Sequence, residues 1–397
     1  MSDLLTIEEA LGCILERARP LPTEIVPVAD AAGRVLREPA LARVDLPPFA
    51  SSAMDGFAVR ASETPGELPV AYRIAAGEPA PGPLPPQAAA GIATGAAVPD
   101  GADAVVPVER LVDRGDRVEI PEGARLGQHV RPRGGDVREG DSTVAPGTRL
   151  GPAQIGALAA AGVADVCCSI PPRVAILATG SELRPAGEPL VDGQIYESNR
   201  AMIGAALRSA GANVELLPVV EDDESAHRAA LEHGLEADVL VTSGGVSMGP
   251  HDLVRRVAAD LGVEELFWGV AVKPGKPLSF GVRGTTLVFG LPGNPVSSLV
   301  GALVFVRAAL LRRQGVEKID LDYGHGRTTV SLAQNPHRDE FVRARRFLGE
   351  TDVLLEPVSG QESHMIVRAA SADALVHVPR GEGEIAAGAP IRFLSLA

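Results

Sequence analysis

Of the 37 Lys+Arg residues in this chain of 397, only three are lysines, and two of those stand together in Val272-Lys273-Pro274-Gly275-Lys276-Pro277. Elsewhere, apart from Lys318, the positive charge is arginine. Lysine offers a compact, rotatable ammonium where arginine offers a broad planar fork. Two compact cations on a glycine turn stiffened by prolines suit a small, tight site for an oxyanion. The alternative use of such a segment is a surface turn with two solvated lysines. The net charge of 37 − 51 = −14 sharpens the choice, because an anionic ligand would need positive charge concentrated locally.

Other residues suit the same chemistry. Three loops follow apolar stretches that read as strands: Thr179-Gly180-Ser181-Glu182, Ser243-Gly244-Gly245-Val246-Ser247 and Leu291-Pro292-Gly293-Asn294-Pro295. In open parallel sheets, ligands bind beyond the carboxyl ends of the strands. Asn294 suits a helix N-cap, Pro295 the first helical position and Ser297 the first turn, so free backbone N–H groups there favour an anion. Gly244 and Gly245 permit close backbone approach to a ligand. Glu182, Asp222 and Asp252 fall at loops or helix starts, where they can cap helices or together hold a hard cation such as Mg²⁺. No GxxxxGK[ST] sequence, zinc spacing or Gly-x-Ser-x-Gly elbow occurs. Further polar loops lie around Asp55, Thr94 and Arg131-Pro132-Arg133-Gly134-Gly135-Asp136, and in the last region around Arg343, Arg345, Arg346, Ser363 and His364.

Composition bounds the class. Hydrophobic content of 45% can build real cores, and aromatic content of 3% leaves them to Ala, Val, Leu and Ile. The acidic balance argues against nucleic acid and anionic membranes. Cys13, Cys167 and Cys168 form neither a disulfide framework nor a metal spacing, which predicts a reducing, cytoplasmic compartment. With no basic-then-apolar leader and no run of eighteen apolar residues, an unexported, soluble protein is expected.

These residues must be held by several domains. Thr6-Ile7-Glu8-Glu9 predicts a capping box and a helix to about Arg17. Residues 25–40 read as strand, turn and short helix, and residues 152–162 as a helix expected to rejoin this first segment. Between them, short apolar stretches (Val70–Ile74, Ala104–Val108, Arg117–Ile120) among Gly/Pro/Asp turns predict a small β domain inserted at 45–139. From 172 to 316, strands at Arg173–Ala178, Asn213–Val219, Asp238–Thr242 and Thr285–Leu291 alternate with helices, which predicts a three-layer α/β domain on a parallel sheet. Residues 317–397 read as a C-terminal β-barrel or sandwich. Residues 1–44 and 140–171 remain as an N-terminal linking domain, giving a multidomain α/β and β chain.

The ordered set Ser-Ala-Met-Asp-Gly-Phe-Ala (52–58), Thr-Gly-Ala-Ala-Val-Pro-Asp-Gly-Ala-Asp-Ala-Val-Val (94–106), Arg-Pro-Arg-Gly-Gly-Asp (131–136), Thr-Ser-Gly-Gly-Val-Ser-Met-Gly (242–249), Lys-Pro-Gly-Lys-Pro (273–277) and Gly-Leu-Pro-Gly-Asn-Pro-Val-Ser (290–297) resembles the molybdopterin molybdenumtransferases. These are bacterial molybdenum-insertion enzymes related to the E domain of gephyrin. The resemblance implies insertion of molybdate into adenylylated molybdopterin with Mg²⁺-dependent release of AMP. It implies an elongated homodimer, and leaves room for other cofactor-biosynthesis proteins as partners. Carried over by residue, Lys273, Lys276, Pro277, Ser297, Arg343 and Ser363 would bind molybdate. Glu182, Asp222 and Asp252 would serve Mg²⁺ and the adenylyl-pterin, with Ser243, Gly244, Gly245, Ser247, Pro292 and Asn294 nearby. Asp55, Thr94, Arg131 and Asp136 would come from the facing subunit. Phe57, Ser181 and Gly269 depart from the common pattern of tyrosine, aspartate and, in some relatives, lysine. Tungstate insertion and a non-catalytic pterin-binding scaffold are the competing readings.

Overall fold

The computed structural model describes residues 4–220, 223–245 and 253–396, and the chain divides into two compact units, 1–24 with 169–397 and 25–168. The larger unit is built on a six-stranded sheet in the order Asn213–Leu216, Arg173–Ala178, Val239–Ser243, Thr286–Leu291, Ser279–Arg283, Glu264–Trp268. The first four strands run parallel; the three inner ones are near-continuous apolar runs, while Asn213–Leu216 at the edge alternates and is mostly exposed. The last two are an antiparallel edge that periodicity does not reveal. They are short, Glu264 and Glu265 open one of them, and a bulge between Glu265 and Phe267 breaks its alternation.

Strand alternation sorts the side chains into two layers. Val174, Ile176, Val239, Val241, Leu287, Phe289 and Leu291 face the helices Ile7–Arg17, Asn199–Ser209 and 295–313. Ala175, Leu177, Leu240 and Val288 face the helices Glu224–Gly234 and Leu253–Asp260. The helical stretch Pro295–Arg313 is long and apolar enough to cross a membrane, but it buries 67% of its apolar window inside this unit. It runs as α-helix, π-helical Ala302–Val306, then α-helix again.

The first helix has the expected capping box: the Thr6 N–H donates to Glu9 Oε2 at 2.8 Å, and the Glu9 N–H donates to Thr6 Oγ1 at 3.1 Å. Its placement differs from expectation. Ile7, Ala10 and Ile14 join the α/β core, whereas Val26, Leu36, Ala40 and Ala42 share a core with Val144, Leu158 and Val166 in the smaller unit. The segment 1–44 is therefore two pieces, because its helix and its later strands bury their apolar faces in different cores.

The C-terminal part of the larger unit is a closed five-stranded barrel. Asp339–Leu348 pairs with both Val353–Pro357 and Ala374–Val378, and the ring runs on through Pro390–Ser395 and Gly324–Thr328. The long strand Asp339–Leu348 is dense in charge and so reads poorly from sequence, yet Phe341, Val342 and Ala344 along it are buried. His377 is stacked between Tyr323 and Phe341, with centroids at 5.4 and 5.2 Å. Its Nε2 faces Asp339 Oδ1 at 3.1 Å, and its Nδ1 lies 3.4 Å from Arg392 Nη2, an arrangement that suits the neutral ring. Burial pushes its pKa down, outweighing the pull of Asp339.

The smaller unit carries a second six-stranded sheet, ordered Ala104–Pro107, Gly56–Val59, Ala89–Ile92, Gly66–Ile74, Arg117–Ile120, Val112–Asp113. Gly56 lies so close to its partner strand that a Cβ there would stand 2.0 Å from the Val106 carbonyl oxygen. In contrast, a Cβ on helical Gly12 would meet nothing within 4 Å.

Two expectations follow from this packing. Gly56→Ala should destabilise the smaller unit by about 2 kcal/mol or more, while Gly12→Ala should stabilise the larger one by about 0.5–1 kcal/mol; equal urea midpoints for the two variants would contradict both. Because the folded pKa of His377 is depressed below its ordinary 6.5, the unfolded chain takes up the proton first as pH falls. Its stabilising share is thus complete above about pH 6.5 and is lost below it. His377→Gln should flatten the fall in urea midpoint between about pH 7.5 and 5.5, and an unchanged slope would exclude this role.

Candidate functional site

At the carboxyl ends of the parallel strands lies a cavity of about 1400 Å³, large enough for an extended ligand with two ring systems. Its walls include Glu182, Ser243, Gly244, Gly245, Lys276, Pro277, Pro292 and Asn294. Three loops distant in sequence thus converge, as the three strand-end motifs predict.

The convergence is enforced by Asn199, a residue that motif reading passes over. Its buried amide donates to Ser243 Oγ at 2.8 Å and to the Gly293 carbonyl at 2.7 Å, tying a helix start to two strand-end loops. Ser298 Oγ donates to the Pro292 carbonyl, and the Gly244 N–H donates to the Leu291 carbonyl at 3.1 Å. Gly244 has φ +93, and a Cβ there would lie 2.9 Å from the Thr179 carbonyl oxygen, so the close loop approach requires glycine. Beside Asn199, Glu197 receives the Arg200 N–H at 2.8 Å and Nε at 2.9 Å, which rigidifies the same corner. The sequence signal for this corner is faint: polar Glu197-Ser198-Asn199 ahead of an apolar helix.

The two lysines part company. Lys273 lies on a short strand beside the barrel, where its Nζ pairs with Glu340 Oε1 at 2.9 Å. Lys276 lines the cavity and has no ion-pair partner among the described residues. The turn between them rests on the helix start: a Cβ on Gly275, φ +116, would lie 3.6 Å from the Ser297 carbonyl oxygen. Ser297 itself is buried. The helix-start N–H of Val296 donates to the Ser363 carbonyl at 3.0 Å, so this donor is already used, and Ser363 is brought to the helix start by its backbone. Asn294 occupies the N-cap position without a capping side-chain bond and lines the cavity.

Arg343 is 1% exposed and holds a loop. Its Nη1 donates to the Met365 carbonyl at 2.8 Å, and its Nη2 to the carbonyls of Gly360 at 2.7 Å and Glu362 at 3.2 Å. The side chain thus positions the segment carrying Ser363. Arg345 donates to the Ser371 carbonyl, and Arg346 pairs with Asp373.

Glu182 lines the cavity, and its carboxylate has no hydrogen-bond or ion-pair partner among the described residues. Asp222, Ser247 and Asp252 lie outside the described residues. No cluster of three His, Cys, Asp or Glu suited to a metal occurs among the described residues. Glu182 therefore supplies one hard oxygen donor of the kind Mg²⁺ accepts alongside phosphate oxygens.

In the smaller unit, the residues singled out from sequence are each held by local hydrogen bonds or strand pairing. The Thr94 N–H donates to Asp55 Oδ1 at 2.7 Å, and Thr94's hydrogen bonds hold the Asp55 carboxyl below the usual range. Arg131 pairs with Ser51 across a short ladder, and the Ala53 N–H donates to the His129 carbonyl at 2.9 Å. Asp136 is joined through its N–H to the Leu46 carbonyl at 2.9 Å, and neighbouring Arg133 pairs with Asp45 at 2.6 Å.

Comparison with known proteins covers nearly the whole chain. Residues 5–162 match the MoeA N-terminal region (domain I and II), 175–312 a probable molybdopterin binding domain, and 325–396 the MoeA C-terminal region (domain IV). Molybdopterin molybdenumtransferase 2 of Mycobacterium tuberculosis is 37% identical over 98% of this chain and 99% of its own. The molybdopterin molybdenumtransferase of Haemophilus influenzae is 33% identical over 97% of each. A crystal structure of a molybdopterin biosynthesis MoeA protein from Pyrococcus horikoshii superposes with a TM-score of 0.77 at 31% identity, covering 100% of both chains. With sequence, fold and strand-end loops in agreement over this span, the chain belongs to the molybdopterin molybdenumtransferase family.

Proposed function

We propose that this enzyme of molybdenum cofactor biosynthesis inserts molybdate into adenylylated molybdopterin and releases AMP in a Mg²⁺-dependent reaction. The observation that carries the reading is Lys276, an ammonium with no ion-pair partner among the described residues, facing a large cavity that also holds the carboxylate of Glu182. In a chain of net charge −14 such a cation concentrates anions locally. Lys276 would bind the oxyanion, while Lys273, neutralised by Glu340, holds the turn against the barrel. Gly244 and Gly245 let the backbone approach the bridging phosphates, and Asn199 keeps both loops in register. Glu182 fits a hard cation, with Asp222 and Asp252 as its proposed companions; the ion would neutralise phosphate charge during cleavage. Arg343 acts by orienting the Ser363 loop.

The homodimer belongs to this proposal, with Asp55, Thr94, Arg131 and Asp136 completing the site of a second copy. The linked Asp55–Thr94 pair supports it, as a preorganised polar pair outside the unit that holds the cavity. A monomer in sedimentation at working concentration would overturn this part. Three free cysteines support a reducing, cytoplasmic setting.

Lys276→Ala should raise the molybdate concentration needed for half-maximal cofactor synthesis by about tenfold or more, with rescue by excess molybdate. Lys273→Ala should do less, and equal effects would refute the division of roles. Tungstate supplied in competition measures the anion preference of the same pocket. Glu182→Gln should leave adenylyl-pterin bound and slow AMP release by roughly tenfold or more. Normal AMP release in that variant would remove Glu182 from the metal role.

A further inference from the structure

The chain has one tryptophan among 397 residues, and it borders the cavity. Trp268 ends the strand Glu264–Trp268, where it pairs with Ser279. Its neighbour Phe267 is buried in the α/β core, tilted on Phe280 at 5.7 Å. Alternation along the strand turns Trp268 to the opposite side, toward the helix Leu253–Asp260. There the Arg255 guanidinium carbon lies 6.0 Å from the indole centroid. That guanidinium is held in a bidentate pair with Glu265, at 2.9 Å from Nε and 2.7 Å from Nη2. The indole is thus backed by a planar cation whose charge is already neutralised and whose orientation is fixed. Lys276 and Pro277 border the same cavity, so a ligand whose charged part reaches Lys276 can bring a ring to Trp268.

We propose that Trp268, backed by the Arg255–Glu265 pair, is a stacking platform for a planar heterocycle of the substrate. The inference rests on the adenylyl-pterin reading above, which supplies two such rings, adenine and pterin. Both present a π-face to the indole, and stacking of this kind tolerates different heterocycles while demanding an aromatic surface. Tyr196 also lines the cavity, with its hydroxyl donating to the Glu188 carbonyl at 2.8 Å, but Trp268 offers the larger ring and the one backed by a fixed guanidinium.

The single tryptophan makes the test direct. Wild-type protein is titrated separately with AMP and with free pterin, following tryptophan fluorescence and, independently, binding by equilibrium dialysis. The ring that stacks should quench the fluorescence, which distinguishes adenine from pterin. Trp268→Ala should weaken binding of that ligand by about tenfold, and Trp268→Phe should retain most of the affinity. If Trp268→Ala does not fold, the wild-type titration and Trp268→Phe decide the matter. Binding by dialysis without quenching, and with unchanged affinity in the variants, would overturn the platform and leave the proposed function standing. No binding of either ligand by dialysis would overturn the adenylyl-pterin reading and the platform with it.

Discussion

The amide of Asn199 is the interaction on which the site depends. One side chain donates to the Ser243 hydroxyl and to the Gly293 carbonyl, so a helix start and the ends of two parallel strands become a single rigid corner. The amide and the Ser243 hydroxyl are buried, so a lost partner would leave an unsatisfied polar group, which gives the corner its definition. With that corner in place, the glycines at 244 and 245 can bring backbone close to a ligand, and the helix beginning at Pro295 can present Asn294 to the cavity.

Charge is arranged with the same economy. The protein is strongly acidic, so any oxyanion ligand would need positive charge concentrated locally. Two lysines three residues apart divide the work because the turn between them carries their side chains to different neighbours. Glu340 on the barrel strand neutralises Lys273 and docks the barrel on the α/β domain, which leaves Lys276 facing the cavity. Arg343 extends the same logic inside the barrel, where its buried guanidinium closes on three backbone carbonyls and so shapes the loop that reaches the helix start at Val296.

Much of this was legible beforehand, for identifiable reasons. The inner parallel strands announce themselves because burial on both faces requires continuous apolar runs, and the first helix because its capping box is a local device. The antiparallel edge strands were not legible, since their glutamates, glycine and bulge leave no clean alternation. The barrel strand at 339–348 was hidden by its charges, of which Arg345 is exposed while Asp339 and Arg343 are buried, the first against His377 and the second holding a loop. Of the site residues, those in glycine- and proline-rich strand-end loops were visible from their spacing. Asn199 and Trp268 were not, because nothing next to them in the chain signals what they touch.

The sequence by itself determined the domain classes, the strand-end placement of the loops, the acidic background with its lysine exception, and the family. Those properties follow from local pattern and from ordered motifs, which need no three-dimensional neighbour to be read. Only the tertiary structure decided that Lys273 is paired while Lys276 has no ion-pair partner among the described residues, that Arg343 holds a loop, that the first helix packs with the α/β core, and that Trp268 borders the same cavity as Lys276. Each of these depends on which distant residue lies within a few ångströms, and that distance is set by packing of the whole unit rather than by any stretch of chain.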